Sequence, residues 1–471
     1  MRRKRLGIMR KPIPLINRTA LGLNFWLLTA LLLVLCIAGG ASRANVMGQV
    51  VVRAAAWASL VAVILFGTRP IQPLVRGRAI PVLLVVAIAI PLVQLVPLPP
   101  SVWQALPGRA AFVAADAFVG GAPWRPIAIV PSATLNAASS LIVPFVVFVL
   151  AAGLSRKEDQ ALVVVLLGTV GIMMLSGLLQ FSGVALLNPF VNGEGAVDGL
   201  FANRNHFALF MAIGCLLSLV WGFGGGTKSN WRVPVAAGLV MLLILTILAS
   251  GSRGGIVVGV VAMGAGAALI AGDARAKLAR FPRRIRLAIL GGLGLAMAAI
   301  LLLSVFANRA VSIDRALSLD LSQDMRSRSL GVVTGMVRDY FPVGSGLGGF
   351  DPVFRLHEPF RLLKPTYFNH AHNDFMEIVL DAGLAGLLAL LAAIAWWGWA
   401  SVKAWRRDRP GGVRTRARLG SFVLLLVFIA SIADYPARTP LIMAVVMIAA
   451  LWLAGVSTEH GDALPEEGQL L

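Results

Sequence analysis

Two histidines one residue apart, His370 and His372, stand in the run Thr366-Tyr367-Phe368-Asn369-His370-Ala371-His372-Asn373-Asp374, just ahead of a long apolar segment. Imidazole is the side chain best suited to take or give a proton near neutral pH. A His-x-His pair can also ligate a metal, but no carboxylate or third histidine stands at a companion spacing, so no metal is expected. His372 is set apart by Asn373 and Asp374 at a helix start, where free amides and the helix dipole favour anions. Eleven residues at about 100° each bring His372 and Gly383 to within roughly 20° of one azimuth, with Gly386 near the same stripe. A smooth glycine face lets a neighbouring helix approach closely and fixes rotation, which would aim His372.

Arginines form the second group of candidates. Arg253 lies in Ser250-Gly251-Ser252-Arg253-Gly254-Gly255, a tight turn between apolar runs. Its guanidinium fork suits a phosphate; equally, it could be a hairpin arginine meeting lipid headgroups. Arg326 and Arg328 stand in a polar stretch, where solvated charges are the plain alternative. Arg204 flanks a helix start and could be an interfacial anchor. Asn203 and Asn205 can cap that helix or hydrogen-bond a sugar, and capping is the favoured reading. The run Gly344-Ser345-Gly346-Leu347-Gly348-Gly349 lacks the strand-then-helix context of a nucleotide loop.

The elements that must position these residues are membrane helices. Of 471 residues, 58% are hydrophobic and 13% charged, against about half and a quarter in soluble domains. The net charge of +21 sits mostly in short links between apolar runs, which writes orientation rather than grip on nucleic acid. Cys36 and Cys215 fall inside apolar runs and read as buried small side chains. Apolar runs at 20–41, 49–67, 80–98, 138–154, 161–184, 205–223, 233–250, 254–272, 287–306, 374–400, 419–434 and 441–455 predict an all-α polytopic membrane protein of about 12 helices. The basic start at 1–19 followed by an apolar run looks like a signal without an evident cleavage site, and is read as a retained helix.

Basic clusters alternate along the chain: Arg2 to Arg18, then Arg69, Arg76 and Arg78, then Arg275 to Arg286, then Lys403 to Arg418. The positive-inside rule then places both termini in the cytoplasm, including the tail at 456–471. It places residues 307–373, by far the longest polar segment, on the opposite side, with short amphipathic helices expected from Met325 to Tyr340. Segment 99–137, with Trp103 and Trp124, reads as interfacial.

These motifs together resemble the O-antigen ligase and polymerase superfamily. His372-Asn373, nine residues, then Gly383-x-x-Gly386 is similar to its His-Asn–x9–Gly-x-x-Gly motif. Gly199 to Ala208, Ser252-Arg253-Gly254, and Arg326 followed by Gly344-Ser345-Gly346 resemble further elements of it, within about residues 95–400. The resemblance implies a domain at 20–455 acting as a membrane glycosyltransferase of the bacterial inner membrane. Its donor would be an undecaprenyl-diphosphate-linked oligosaccharide, and its acceptor a glycan or lipid-linked acceptor at the periplasmic face. His372, Arg253 and Arg326 would be catalytic. Arg204, Asn203, Asn205, Arg328, His370, Asn373 and Gly346 would bind substrate, and Gly383 and Gly386 would be structural. Of the two loop arginines, Arg326 is preferred. No cofactor or metal is implied; chain-length regulators or export proteins are candidate partners. Leu387 stands where ligases often carry Ser or Thr, and Leu330 where an aromatic follows the loop arginine, which leans toward polymer growth. A transporter or flippase of lipid-linked glycans is the rival class, but no matching halves with broken helices are visible.

Overall fold

A computed structural model describes residues 21–67, 77–186, 188–191, 197–224, 231–279, 282–284, 287, 291–292, 325–363, 368–406 and 411–455. The basic N-terminus, nearly all of the expected helix at 287–306, loop residues 307–324, Thr366 and Tyr367, and the C-terminal tail lie outside them.

In chain order the helices are α1 (Leu23–Ala38), α2 (Met47–Phe66), α3 (Ala79–Gln94), α4 (Pro100–Trp103), α5 (Ala110–Val119), α6 (Pro131–Ser140), α7 (Ile142–Ala152) and α8 (Arg156–Phe181). They continue as α9 (Arg204–Phe223), α10 (Arg232–Ala249), α11 (Arg253–Leu278), α12 (Met325–Tyr340), α13 (Phe350–His357), α14 (Asp374–Trp405), α15 (Gly411–Ser431) and α16 (Pro440–Ala454). Two-residue strands β1 (Pro97–Leu98) and β2 (Arg125–Pro126) pair antiparallel. The protein is an all-α membrane protein. Among the described residues, seven helical segments are long and apolar enough to span: α2, α6 with α7, α8, α9, α10, α11 and α14. Helices α1, α3 and α16 are apolar but only 16, 16 and 15 residues long, short of the ~20 that a bilayer needs. Helix α15 opens with Arg414, Arg416 and Arg418.

Helix α9 is the hub because it is apolar on every side, as a helix buried all round must be. Every residue from His206 to Ser218 is buried. Helices α8, α10, α11 and α15 pack around it. At the α9–α11 crossing the fit is tight enough that a Cβ on Gly255 would stand 2.5 Å from the Ala208 Cβ. The hub therefore fixes the position of its own N-terminus, Asn203 to His206, against that of α11.

Helix α14 departs from the smooth glycine stripe. Gly383 has φ 56° and ψ −139°, which breaks the helix, and the loop Pro342–Gly346 plugs the break. Leu384 N donates to Pro342 O at 2.8 Å, Ser345 N to Leu380 O at 3.0 Å, and Gly346 N to Asp381 O at 2.9 Å. Backbone groups freed within a membrane helix must find partners, and this loop supplies them. Gly383 thus receives a loop, not a helix. Because His372 also lies outside α14, with left-handed φ 52°, the shared-azimuth argument does not set its aim. Gly386 faces Ala382 and Ile378 of its own helix and lines a cavity described below.

The polar loop builds its own small core from Val333, Met336, Tyr340, Phe350, Val353, Phe354 and Leu362, closed onto Leu380 of α14. Phe368, Ala371 and Met376 pack against it, which anchors the histidine segment from one side. In the segment after α3, Trp124 is exposed, but Trp103 is buried with its indole N–H donating to Pro123 O at 2.9 Å. Only the first of these can act as an interfacial anchor.

Candidate functional site

Four separated pieces of chain meet at one buried carboxylate, Asp434, in the link between α15 and α16. His372 Nδ1 lies 3.1 Å from its Oδ1. Asn203 Nδ2 and Asn205 Nδ2 donate to its Oδ2 at 3.1 and 2.5 Å. Arg326 Nη2 lies 3.5 Å from Oδ2, while its Nη1 donates to Ala433 O at 2.9 Å. His206 Nε2 stands 3.8 Å from Oδ1, with its Nδ1 hydrogen-bonded to the Thr439 hydroxyl at 3.0 Å.

Each partner is held from its own side. Asn203 caps α9, accepting from Asn205 N at 2.8 Å. Ser252 caps α11, accepting from Gly255 N at 2.8 Å, and donates to Asn205 Oδ1 at 2.7 Å. The N-termini of α9 and α11 are therefore laced together, and each carries an arginine as its first helical residue, Arg204 and Arg253. Both arginines are half-buried, and among the described residues neither has an ion-pair or hydrogen-bond partner. Two adjacent helix N-termini with two such guanidinium groups make a region of strong positive potential. Asn373 caps α14, accepting from Met376 N at 3.0 Å, and donates to Ile432 O at 3.0 Å. That second bond ties the histidine segment to the Asp434 link.

A carboxylate cannot donate, so His372 Nδ1 must carry the proton in this contact, and the neutral ring keeps its basic lone pair on Nε2. Burial alone would raise the Asp434 carboxyl. The hydrogen bond from His372 and the charges of His206 and Arg326 outweigh it and hold the group well below the usual carboxylate range. Asp434 is thus a permanent anion that orients the imidazole. Tyr435 packs between three imidazoles, with centroid separations of 4.1 Å to His370 and 5.0 Å to both His372 and His206. Chiefly through burial, its phenol is pushed up to about 12.

The remaining expected residues fall elsewhere. His370 turns away from Asp434: its Nδ1 lies 2.8 Å from Glu377 Oε1 and its Nε2 3.2 Å from Ser42 Oγ. Arg328 donates to Arg361 O at 3.1 Å, within the loop. Gly346 is a backbone element with φ 101°, where a Cβ would meet Ala128 Cα at 2.6 Å.

Sequence reasoning passed over Asp434, Tyr435, His206, Glu377 and Arg438. It also saw no carboxylate cluster, yet Asp374, Glu377 and Asp381 lie along one stripe of α14. Arg438 fills that stripe, 3.3, 3.2 and 3.5 Å from the three in turn. Burial would lower the Arg438 guanidinium, but the three carboxylates raise it, so it stays charged. Three acids at i, i+3 and i+7 in an apolar helix were the available signal, because intramembrane charges are rare and paired. Among the described residues no group of His, Cys, Asp and Glu is placed to hold a metal ion.

No curated protein sequence matches the chain. The family model described as O-antigen ligase matches residues 238–391, a segment that contains Arg253, Arg326, His372, Gly383 and Gly386. Over that segment, about a third of the chain, the sequence is similar to the O-antigen ligase family.

Proposed function

We propose that the protein transfers an oligosaccharide from an undecaprenyl diphosphate carrier to a second glycan at the periplasmic face of the inner membrane, growing a polymer such as an exopolysaccharide or O-antigen. The observation that carries this reading is the His372–Asp434 pair set beside Arg326 and the laced N-termini of α9 and α11. The family match supports membrane glycan transfer in general; polymer growth rests on Leu387 and Leu330.

In the proposed reaction the acceptor hydroxyl attacks the anomeric carbon of the donor. A C–O bond forms there as the bond to the diphosphate breaks, and the hydroxyl proton passes to His372 Nε2. Asp434 holds the ring in the tautomer that can accept it and stabilises the imidazolium that forms. Diphosphate departs as an anion, so its charge needs cations more than it needs an acid. Arg204, Arg253 and Arg326 provide them from positions fixed by the surrounding helices. The nearby carboxylates are already engaged, Asp434 by its ring of donors and the α14 acids by Arg438. Metal-independent transfer follows as part of the proposal. Both termini are assigned to the cytoplasm and the loop at 307–373 to the periplasm.

Purified protein given a defined lipid-linked repeat should yield a ladder of products, and His372→Ala protein should yield none while accumulating normally. A single addition to a different acceptor would make the protein a ligase. Near-normal product from the variant would remove His372 from the mechanism.

A further inference from the structure

A cavity of about 830 Å³ lies between α2, α3, α6, α14 and α16, and its walls include none of His372, Arg204, Arg253, Arg326 or Asp434. Along α14 the wall runs from Asp374 to Trp397, across the break at Gly383. Beyond the break, from Gly386 to Trp397, it extends about 16 Å at ~1.5 Å per residue, roughly half of the ~30 Å hydrocarbon thickness of a bilayer. The trunk is apolar, with Leu84, Ala87 and Ile90 of α3 facing Ala389, Ala393 and Trp397 of α14. Polar side chains gather at the opposite end from Trp397, where Arg53, Gln49, Asn136, Asn369, His370 and Arg438 line it. A sugar would need polar partners along its length. An apolar trunk with one polar mouth fits a lipid chain and its headgroup.

Charge at the mouth decides the kind of head. Arg438 is balanced by the α14 carboxylates, and Asp351 is gripped by Arg355 through two bonds of 2.9 and 3.0 Å. Arg53 is different. It sits about 9 Å into the spanning helix α2, and among the described residues its partners are neutral: Nη2 donates to Gln49 Oε1 at 3.1 Å and to Asn136 Oδ1 at 2.8 Å. Its Nε is buried without a partner, and Nη1 makes no hydrogen bond among the described residues. An arginine inside a span without a counter-charge is costly and marks a site for an anion. Phosphate is the anion that a guanidinium fork fits best.

The cavity wall holds neither Arg204 nor Arg253, but it reaches the histidine segment through Asn369, His370 and Tyr435. Asn369 and His370 line the cavity, while Tyr435 contacts both His370 and His372 and accepts from Asn369 Nδ2 at 3.2 Å. A substrate other than the one gripped by those arginines can therefore reach the same histidine segment through this wall. Resting on the function proposed above, we propose that this cavity holds the lipid anchor of the acceptor, a phosphate-headed prenyl lipid. Its phosphate meets Arg53, and its chain lies between α3 and α14.

The test uses the full chain with two variants, Arg53→Gln at the mouth and Ala389→Trp in the trunk. Initial rates are measured against donor and lipid-linked acceptor separately, and retention of undecaprenyl phosphate is read by native mass spectrometry against equal phosphatidylglycerol. Both variants should raise the acceptor KM at least about tenfold, the loss of one charge-assisted hydrogen bond at Arg53, and leave the donor KM within about twofold. Both should also shed undecaprenyl phosphate. A raised donor KM instead would assign the cavity to the donor. Equal retention of phosphatidylglycerol, or unchanged KM values and retention, would overturn the site while leaving the function standing. If wild-type protein makes no product yet retains undecaprenyl phosphate through Arg53, the function fails and the lipid site survives without its acceptor role.

Discussion

Replacing Asp434 with asparagine keeps the shape of the side chain and removes one acceptor. In the native site Oδ2 serves two amide donors, Asn203 and Asn205, with Arg326 beside them, and Oδ1 serves His372 Nδ1 and the Tyr435 backbone N–H. An asparagine has a single oxygen for both duties. Pointing it at the asparagines leaves the Tyr435 N–H facing an NH2 group, while His372 can change tautomer; pointing it at His372 leaves Asn203, Asn205 and Arg326 all facing that NH2 group. A buried donor without a partner costs about 1–3 kcal/mol, so the first orientation wins. The NH2 then faces His372 Nδ1 as a donor, forces the proton onto Nε2, and takes the lone pair from the side that must accept the acceptor's proton. The same exchange in a Ser-His-Asp triad costs ~10⁴ in kcat, or about 5.4 kcal/mol at 1.36 kcal/mol per decade. Asp434→Asn is therefore expected to lower the transfer rate by roughly 10³–10⁴ at saturating substrates, with donor KM little changed. A rate within tenfold of wild type, under conditions where His372→Ala is inactive, would refute the orienting role. The pH dependence has a definite sign. The folded-state carboxyl is held below its unfolded value of ~3.9, so its contribution to stability is complete above that value and is lost as pH falls through the folded one. The stability gap between wild type and Asp434→Asn should be flat from about pH 6 to 8 and close only in strong acid.

Arg253→Lys keeps the charge but loses the planar fork, so transfer should fall at least about tenfold if Arg253 grips a phosphate through two bonds; full activity would make it a headgroup anchor. Arg326→Lys should fall similarly and also weaken the contact to Ala433 O. Gly383→Ala places a Cβ 2.1 Å from Pro342 O at a backbone conformation that only glycine favours. It should lower the thermal midpoint and release the loop to protease, an effect of at least about 1–3 kcal/mol; an unchanged midpoint would refute the plugged break. Activity should survive excess EDTA, and loss that a divalent metal restores would sink a mechanism resting on arginines alone.

The membrane architecture was legible because it depends on local hydropathy, and the cap at Asn203 was legible because it depends on neighbours in sequence; the caps at Ser252 and Asn373 emerge only in the structure. The number of spans was not, since α1, α3 and α16 are apolar yet short, and hydropathy does not reveal where a helix stops. Gly383 was read with the right importance and the wrong partner. A glycine permits close approach of any backbone, and only the fold shows that a loop, Pro342–Gly346, takes the place. The relative standing of Arg326 and Arg328 depends on which turn of α12 faces the Asp434 link, and two residues of spacing do not decide that.

Asp434 was invisible for a related reason: hydropathy averages it into the apolar run 419–434, and its partners are far away in sequence. His372 is 62 residues distant, Arg326 107 from the neighbouring Ala433, and the two asparagines 231 and 229. The matched family segment, 238–391, contains the imidazole and two of the arginines but neither the asparagines nor the carboxylate. Those arginines and His372 therefore have the right chemistry without a fixed geometry until α15 and α16 bring the Asp434 link against the N-terminus of α9. The same link carries Arg438 to the α14 acids and Tyr435 to the three imidazoles. A residue at each end of this short connection thus binds a different face of the histidine segment, Asp434 holding His372 and Arg438 holding the Glu377 that holds His370. Orientation of both imidazoles is set by the last helical hairpin of the chain, which is where variants that spare the motif residues yet abolish transfer should cluster.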